Sequence, residues 1–511
     1  MRCPQRLASC VLWYDAARME VSVSAQYFGW SKQVQERAVL AALIAYVLGY
    51  LAFAPNALLV ADEALYVGQA AAFADGTKSH EVRYVLQKTG RREVVSTYPA
   101  GTSLLQAPFV KLGGWRGAFL PSLLALIGTV VVLLKWLRTI ERPPIFALLP
   151  LICIGTSVQG RLAMSDEITA FLTALALWLY ARGERGDQRS WLAAGFFAGL
   201  TALFRDATPL LFVPVFGMAL VRRARCAWQL ILGSGIGVSI RLVIAKLMFG
   251  SALFVRESAQ GQVPLSLRAV VDNIPLYLVI LTVAIPLGLP SLLLHRSKAN
   301  LALALGSLAL VGLYLTFPLP HEANGLVRDL VLHSRYCNAL VPIIAVTMAE
   351  WIPRLTERRS VLRRVIVVGA VASAFALSTT VHLYLHHWGQ TVERMAAEIY
   401  SLTPEDSVFL TNPQSTDKFM SDVYGHRDII YRPDVTPDTV ADYVARGNTI
   451  YAVFVDRTET LYRREDARHN HEFMSALSTR CNIDMLIDRQ ESAVERLWIG
   501  RIAHCEVMKL K

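Results

Sequence analysis

The sequence predicts an α-helical polytopic membrane protein that ends in a small extracytoplasmic α/β domain. Three observations carry the prediction. Of 511 residues, 54% are hydrophobic and only 18% charged, too apolar a balance for a soluble chain of several domains. The apolar residues gather into eleven runs, most of them approaching the roughly 20 residues a helix needs to cross hydrocarbon. Beyond about residue 388 that pattern stops, and short β-branched or aromatic runs alternate with polar helical stretches.

Residues 1–37 carry polar and charged groups throughout and lack the basic, apolar, small-residue succession of a cleaved signal, so they read as a cytoplasmic segment. The transmembrane domain then covers 38–388, its first run at about 38–54 held inside by Lys32 and Arg37. Residues 55–115 form a long outer loop with an acidic pair, Asp62-Glu63, a basic middle and the turn-rich Tyr98-Pro99-Ala100-Gly101. Ten further runs follow near 117–134, 144–158, 168–182, 191–204, 207–221, 228–249, 274–294, 299–317, 337–352 and 364–384. Alternate connections, at 135–142, 182–189, 222–225, 295–298 and 354–364, are short and basic, which marks them as cytoplasmic. The basic first loop runs against that rule, but the rule weakens in loops of about 60 residues, and the other five connections agree. Residues 159–167, 205–206, 251–273 and 318–336 therefore share the outer face with Asp62, as does the domain at 389–511.

In that last domain, strands are expected at 408–411, 428–431, 449–455 and 496–502, with a helix over 437–446. No glycine-rich fingerprint follows any of these strands, so they argue for docking or acceptor recognition over a nucleotide site. The net charge of +11 lies in short clusters between apolar runs, which makes it a topology signal and excludes nucleic acid as the partner. None of the seven cysteines has metal-ligand spacing, and only Cys481 and Cys505 are placed to pair, on the outer side where disulfides persist.

With the topology set, polar residues distant in sequence converge on one face of the membrane. Carboxylates beside a bilayer are costly unless solvated or partnered, which makes Asp62-Glu63 a candidate site, although acids also favour the first turn of a helix and a short helix from 63 to 74 accounts for them equally. Ser165-Asp166-Glu167 offers the same alternatives ahead of its own run, with Arg161 a turn earlier. Arg205 and Asp206 are adjacent and pair poorly, leaving Arg205 in want of an anion. Arg241 and Lys246 either snorkel or reach a lipid phosphate. Arg335 lies at interfacial depth, where its fork suits a phosphate. His321 and His333 lack the helical spacing of a zinc pair and read as solvated loop residues.

On Asp62-Glu63-x-x-Tyr66, Tyr98-Pro99-Ala100-Gly101 with Pro108, Ser165-Asp166-Glu167, and Arg335-Tyr336 followed by Pro342, the chain over about 38–385 resembles the GT-C class of polytopic glycosyltransferases. It looks most like the branch holding dolichyl-phosphate-mannose protein mannosyltransferases and bacterial lipid A aminoarabinose transferases. The resemblance implies an enzyme of the plasma (inner) membrane that moves a sugar from a polyprenyl-phosphate donor, dolichyl or undecaprenyl, to an extracytoplasmic lipid, glycan or protein acceptor with inversion. It implies Asp62 as the base with Glu63 beside it, Arg335 assisted by Arg205 or Lys246 against the leaving phosphate, and Tyr66, Tyr98 and Tyr336 in substrate binding. Asp166 and Glu167 would orient the sugar or acceptor; Asp166 with Asp62 would also hold a magnesium or manganese ion if one is used, and the resemblance fixes no cofactor. The rival from another class is a transporter or flippase of lipid-linked sugars, which would show internal repeats and broken helices at the midplane. No repeat is visible and the polar groups gather at one face, which favours the enzyme.

The topology makes a direct prediction. Reporters fused after Arg225 and Arg358 are expected to behave as cytoplasmic, and one fused after Gln390 as extracytoplasmic; a cytoplasmic tail overturns the arrangement.

Overall fold

The structure is a computed structural model, described for residues 30–78, 80–83, 85–86, 91–94, 98–222, 224–253, 266–294, 298–317, 330, 333–357, 361–412, 415, 427–458, 461–492 and 495–506. The expected cytoplasmic segment and His321 fall largely or wholly outside these residues. Among the described residues, six helical stretches are long and apolar enough to cross a membrane: Lys32–Ala52, Gly101–Thr139, Ala227–Phe249, Leu267–Ala284, Arg335–Pro353 and Val365–Leu402. Thr208–Arg222 and Ala299–Leu315 are apolar but shorter.

The other three expected runs take different forms. Residues 144–158 do not make one helix: prolines at 143, 144 and 150 leave a 3-10 turn and two short helices, Leu149–Ile152 and Ile154–Gln159, broken at an extended Cys153. Helix Asp166–Glu184 and helix Gln188–Leu200 fill the expected positions near 168–182 and 191–204. A break also interrupts 274–294, where a π-helical segment at Ile280–Ala284 meets Pro286 and a left-handed Leu287 before Gly288–Leu293 resumes. Broken helices therefore occur here, but both breaks fall in apolar sequence.

In chain order α1 is Lys32–Ala52, begun by Ser31, whose hydroxyl accepts from the Val34 amide. The expected loop at 55–115 is mostly ordered structure: α2 (Ala61–Ala74), a two-stranded antiparallel hairpin of β1 (His80–Arg83) and β2 (Arg91–Val94), and α3 (Gly101–Gly113). Helices α4 (Leu120–Thr139) and α5 (Asp166–Glu184) pack along each other in the interior, and α6 (Gln188–Leu200) runs against α8 (Ala224–Phe249) beyond α7 (Val213–Arg222). Then come α9 (Leu267–Val279), α10 (Lys298–Leu315), α11 (Val341–Glu357) and α12 (Val361–Leu402). At 1.5 Å per residue the 42 residues of α12 extend ~60 Å, enough to cross the bilayer and continue into the last domain. The boundary expected at 388/389 thus falls inside one helix.

That domain is a five-stranded mixed sheet ordered β4-β3-β5-β7-β6. Strands β3 (Val408–Thr411), β4 (Asp428–Tyr431) and β5 (Ile450–Arg457) are parallel, with α13 (Pro437–Ala445) in the expected place. Antiparallel β7 (Glu495–Cys505) and β6 (Cys481–Ser492) follow α14 (Leu461–Ser478), and Cys481 is bonded to Cys505 across them. One sheet face packs on α12 and on Ala57 and Leu59 of the first loop, the other on α13 and α14. Val85, between β1 and β2, donates its amide to the Ile429 carbonyl at 3.0 Å, so the first loop covers the open edge at β4.

The α6–α8 contact depends on glycine. Gly195 and Gly199 on α6 face the carbonyls of Leu230 and Ser234, while Gly233 and Gly237 on α8 face those of Leu192 and Phe196, and a Cβ at any of the four would collide with backbone. This reciprocal small-residue seam lets the two backbones touch. Gly195→Leu is expected to separate α6 from α8 and cost at least the ~1–3 kcal/mol of an overpacked interior, measured as a lower unfolding midpoint in detergent.

Candidate active site

The first turn of α2 carries both acids, where unpaired helix amides and the macrodipole favour negative charge. They face different partners. Glu63 is fully buried: its Oε2 accepts from the amides of Leu59 (2.7 Å) and Val60 (3.0 Å), and its Oε1 accepts from the Ala163 amide (2.8 Å). Burial pushes its carboxyl up to about 7, with the three amides pulling the other way. Both oxygens thus accept from backbone amides, and Glu63 ties residues 59–60 of the first loop to residue 163 of the second.

Asp62 faces inward among side chains. Its Oδ2 accepts from Arg335 Nη1 at 2.8 Å and its Oδ1 from the Tyr98 hydroxyl at 2.5 Å, with both members of the ion pair mostly shielded. Tyr98 in turn packs on the ring of Tyr66 at 4.8 Å, whose hydroxyl donates to Ser165 Oγ at 3.3 Å. Arg335 opens a 3-10 turn ahead of α11, and its guanidinium also reaches Met164 Sδ (3.8 Å) and the Tyr336 hydroxyl (3.2 Å).

A second acid–arginine pair lies alongside. Asp166, buried at the start of α5, meets Arg205, which donates to the Tyr314 hydroxyl at 3.2 Å. The two guanidiniums share one aromatic ring: Tyr336 lies 4.8 Å from that of Arg205 and 5.1 Å from that of Arg335, and packs on Tyr314. The Nε groups of both arginines are buried and have no hydrogen-bond partner among the described residues. Two partly engaged cations around an aromatic ring form a ready cradle for an anion.

Eight of the ten sequence-derived site residues thus gather here, with Asp62, Tyr66, Tyr98, Asp166, Arg205, Arg335 and Tyr336 in one cluster. Glu167 is the eighth, adjoining the cluster but turned to Thr129 of α4, whose hydroxyl donates to it at 3.3 Å. The other two are Glu63, already described, and Lys246, which lies outside, exposed and bonded to the Gly250 carbonyl at 2.7 Å. Nor does Arg241 snorkel: it is buried and paired with Asp206 at 2.8 Å, so each member of the adjacent Arg205-Asp206 couple finds a partner elsewhere. Tyr314 and Met164 escaped the sequence reading because each sits in or beside an apolar run.

A metal reading does not fit. Asp62 and Asp166 each face a guanidinium, and no three His, Cys, Asp or Glu side chains among the described residues are grouped to hold an ion.

No family model matches the chain, and no curated protein matches it by sequence. Its fold is nevertheless shared with solved structures. ArnT from Cupriavidus metallidurans, bound to undecaprenyl phosphate, superposes with a TM-score of 0.59 at 13% identity, over 90% of this chain and 97% of that one. The oligosaccharyltransferase AglB from Archaeoglobus fulgidus, in complex with an inhibitory peptide and a dolichol-phosphate, gives 0.50 at 11% identity over 90% and 74%. The chain therefore shares the fold of these two solved proteins over about nine-tenths of its length.

Breaking the second pair tests its coupling. Asp166→Asn strands a buried cation and is expected to cost about 3–5 kcal/mol in detergent unfolding, and adding Arg205→Met is expected to recover much of that loss.

Proposed function

We propose that this chain transfers a sugar from a polyprenyl-phosphate donor to a hydroxyl of an extracytoplasmic lipid, glycan or protein. The carrying observation is the Asp62 carboxylate held on the Arg335 guanidinium, with that of Arg205 on the same Tyr336 ring and an unused N–H on each arginine. That ArnT and AglB were solved with undecaprenyl phosphate and dolichol-phosphate supports the choice of donor. We read the site and the last domain as lying outside the plasma (inner) membrane, with about eleven crossings, on the strength of the five short basic connections.

In this reading the acceptor oxygen attacks the anomeric carbon from the face opposite the phosphate. A new carbon–oxygen bond forms, the bond to the phosphate oxygen breaks with its electron pair, and the configuration inverts. The acceptor's proton passes to Asp62. The departing phosphate needs no general acid, only positive charge, which Arg335 and Arg205 supply in a partly dehydrated cradle. Arg335 links the two tasks. Before the donor binds it lies on Asp62 Oδ2; turning toward the phosphate releases that oxygen for the acceptor. Tyr98 keeps its hold on Oδ1 and so preserves the orientation of the carboxylate.

Transfer from polyprenyl-phosphate sugar by purified protein is the assay. Asp62→Asn keeps the size of the side chain and is expected to retain donor binding while turnover falls about 100- to 10,000-fold. Arg335→Lys keeps charge but loses the fork and is expected to stay partly active, whereas Arg335→Ala is expected to weaken both binding and rate. Near-normal turnover of Asp62→Asn overturns its role as base, and movement of the lipid across vesicles without bond cleavage favours the transporter.

A further inference from the structure

At the end of the helix pair opposite the site, an open surface recess of about 400 Å³ lies between the C-terminal ends of α4 and α5. Its volume falls in the roughly 300–1,000 Å³ range of small-ligand sites. Lys135, Arg138, Arg182 and Arg185 line it with Trp178, and Asp187 is the one acid in its wall. The helices that carry it begin at the candidate active site, since Ser122 near the start of α4 donates to the Met164 carbonyl and Asp166 starts α5. At 1.5 Å per residue the lining residues therefore lie ~18–28 Å from that site, approaching the ~30 Å thickness of the hydrocarbon layer.

Cations at helix C-termini are ordinary, because the macrodipole favours them there. Three further features go beyond that. These cations gather around one recess and outnumber the carboxylates that meet them. Two of them crowd one indole, Lys135 Nζ and the Arg182 guanidinium each 5.4 Å from the Trp178 ring. Carboxylates account for only three of the four: Arg138 pairs with Glu36 (2.5 Å), Arg182 with Asp187 (2.7 Å) and Arg185 with Glu141 (3.5 Å), while Lys135 has no carboxylate partner among the described residues. The Trp178 indole is itself held, donating to Thr139 Oγ1 at 3.2 Å, so the aromatic wall is fixed.

We infer that this recess binds a phosphate group, carried by an anionic lipid headgroup of the leaflet opposite the active site. A tryptophan at interfacial depth beside lysine and arginine between two membrane helices suits such a headgroup: the indole sits at the glycerol level and the cations meet the phosphate. Lys135 supplies the uncompensated charge, and the longer salt bridge of Arg185 is the one that yields its arginine most readily.

The test follows the unfolding midpoint of the full-length protein in neutral detergent during titration with phosphatidylglycerol, phosphatidylcholine or inorganic phosphate. Phosphatidylglycerol is expected to raise the midpoint saturably and phosphatidylcholine to leave it unchanged. Lys135→Gln, a change at an exposed position away from the core, is expected to raise the half-saturating phosphatidylglycerol concentration about fivefold, the contribution of one cation near a lipid surface. Lys135→Arg is expected to titrate as wild type, and Lys135→Gln with Arg185→Gln to weaken the response further. An equal response to inorganic phosphate, lost in Lys135→Gln, keeps the phosphate site but assigns it a soluble ligand. No response to either phosphate source, or a Lys135→Gln protein that titrates as wild type, overturns the inference.

Discussion

Two guanidinium groups sharing one tyrosine ring are the constraint on which this site is built. Close together in a largely buried setting, two cations are tolerable only if each meets a carboxylate, and Asp62 and Asp166 supply them. The pairs come from four separated stretches of chain: Asp62 from the first loop, Asp166 from the second, Arg205 from the bend after α6 and Arg335 from the turn before α11. Charge compensation therefore fixes how these ends of the elements must approach one another. Shielded ion pairs of this kind are weak contributors to net stability, because desolvation offsets their attraction. Their value lies in placing a carboxylate and two cations around a common point.

Backbone ties hold that arrangement from behind. Glu63 joins residues 59–60 to residue 163, and Arg161 donates to the carbonyls of Phe53 and His382, linking the end of α1 to α12. Asp62 is thus flanked by a neighbour that locks its turn to the second loop, the loop that also supplies Asp166. Replacing either tie would leave the acids in sequence but release the register between them.

Much of this was legible in the sequence, and the misses have physical causes. Asp62, Asp166, Arg205 and Arg335 stand out because charged residues at membrane depth are costly and so draw attention wherever they occur. Lys246 drew the same attention, but a long side chain near a helix end can place its charge away from the cluster, and here it is exposed and bonded to the Gly250 carbonyl. That Glu63 meets three backbone amides was not legible, because composition does not show which partners a carboxylate finds. The division of 144–158 was concealed by hydrophobicity, which registers apolar length but neither the prolines at its start nor the extended Cys153. In the last domain the buried strands β3 and β5 declared themselves, while β6, with its exposed alternate residues and three register shifts, carried too polar a pattern to be recognised.

The boundary drawn at 388/389 marks a change in texture, yet the contacts across it argue that the last domain is part of the frame around the site. Ala57 and Leu59, a few residues ahead of Asp62, are packed into the same apolar cluster as Val392, Met395 and Ile399 of α12 and Phe409 and Val453 of the sheet. Asn56 donates to Glu393 at 2.9 Å, and that glutamate also meets Arg116 after α3 at 3.1 Å. The Arg116 contact is exposed and contributes little by itself. Burial of the leucine, valine and isoleucine side chains contributes more, at about 1.5–3 kcal/mol for each that is fully enclosed. Together with the Val85 bond to the sheet edge, this gives the first loop two anchors on the last domain, one on each side of Asp62 in sequence. A loop so held cannot shift its acid without moving the sheet, and so the position of Asp62 depends on residues more than 300 positions away in sequence.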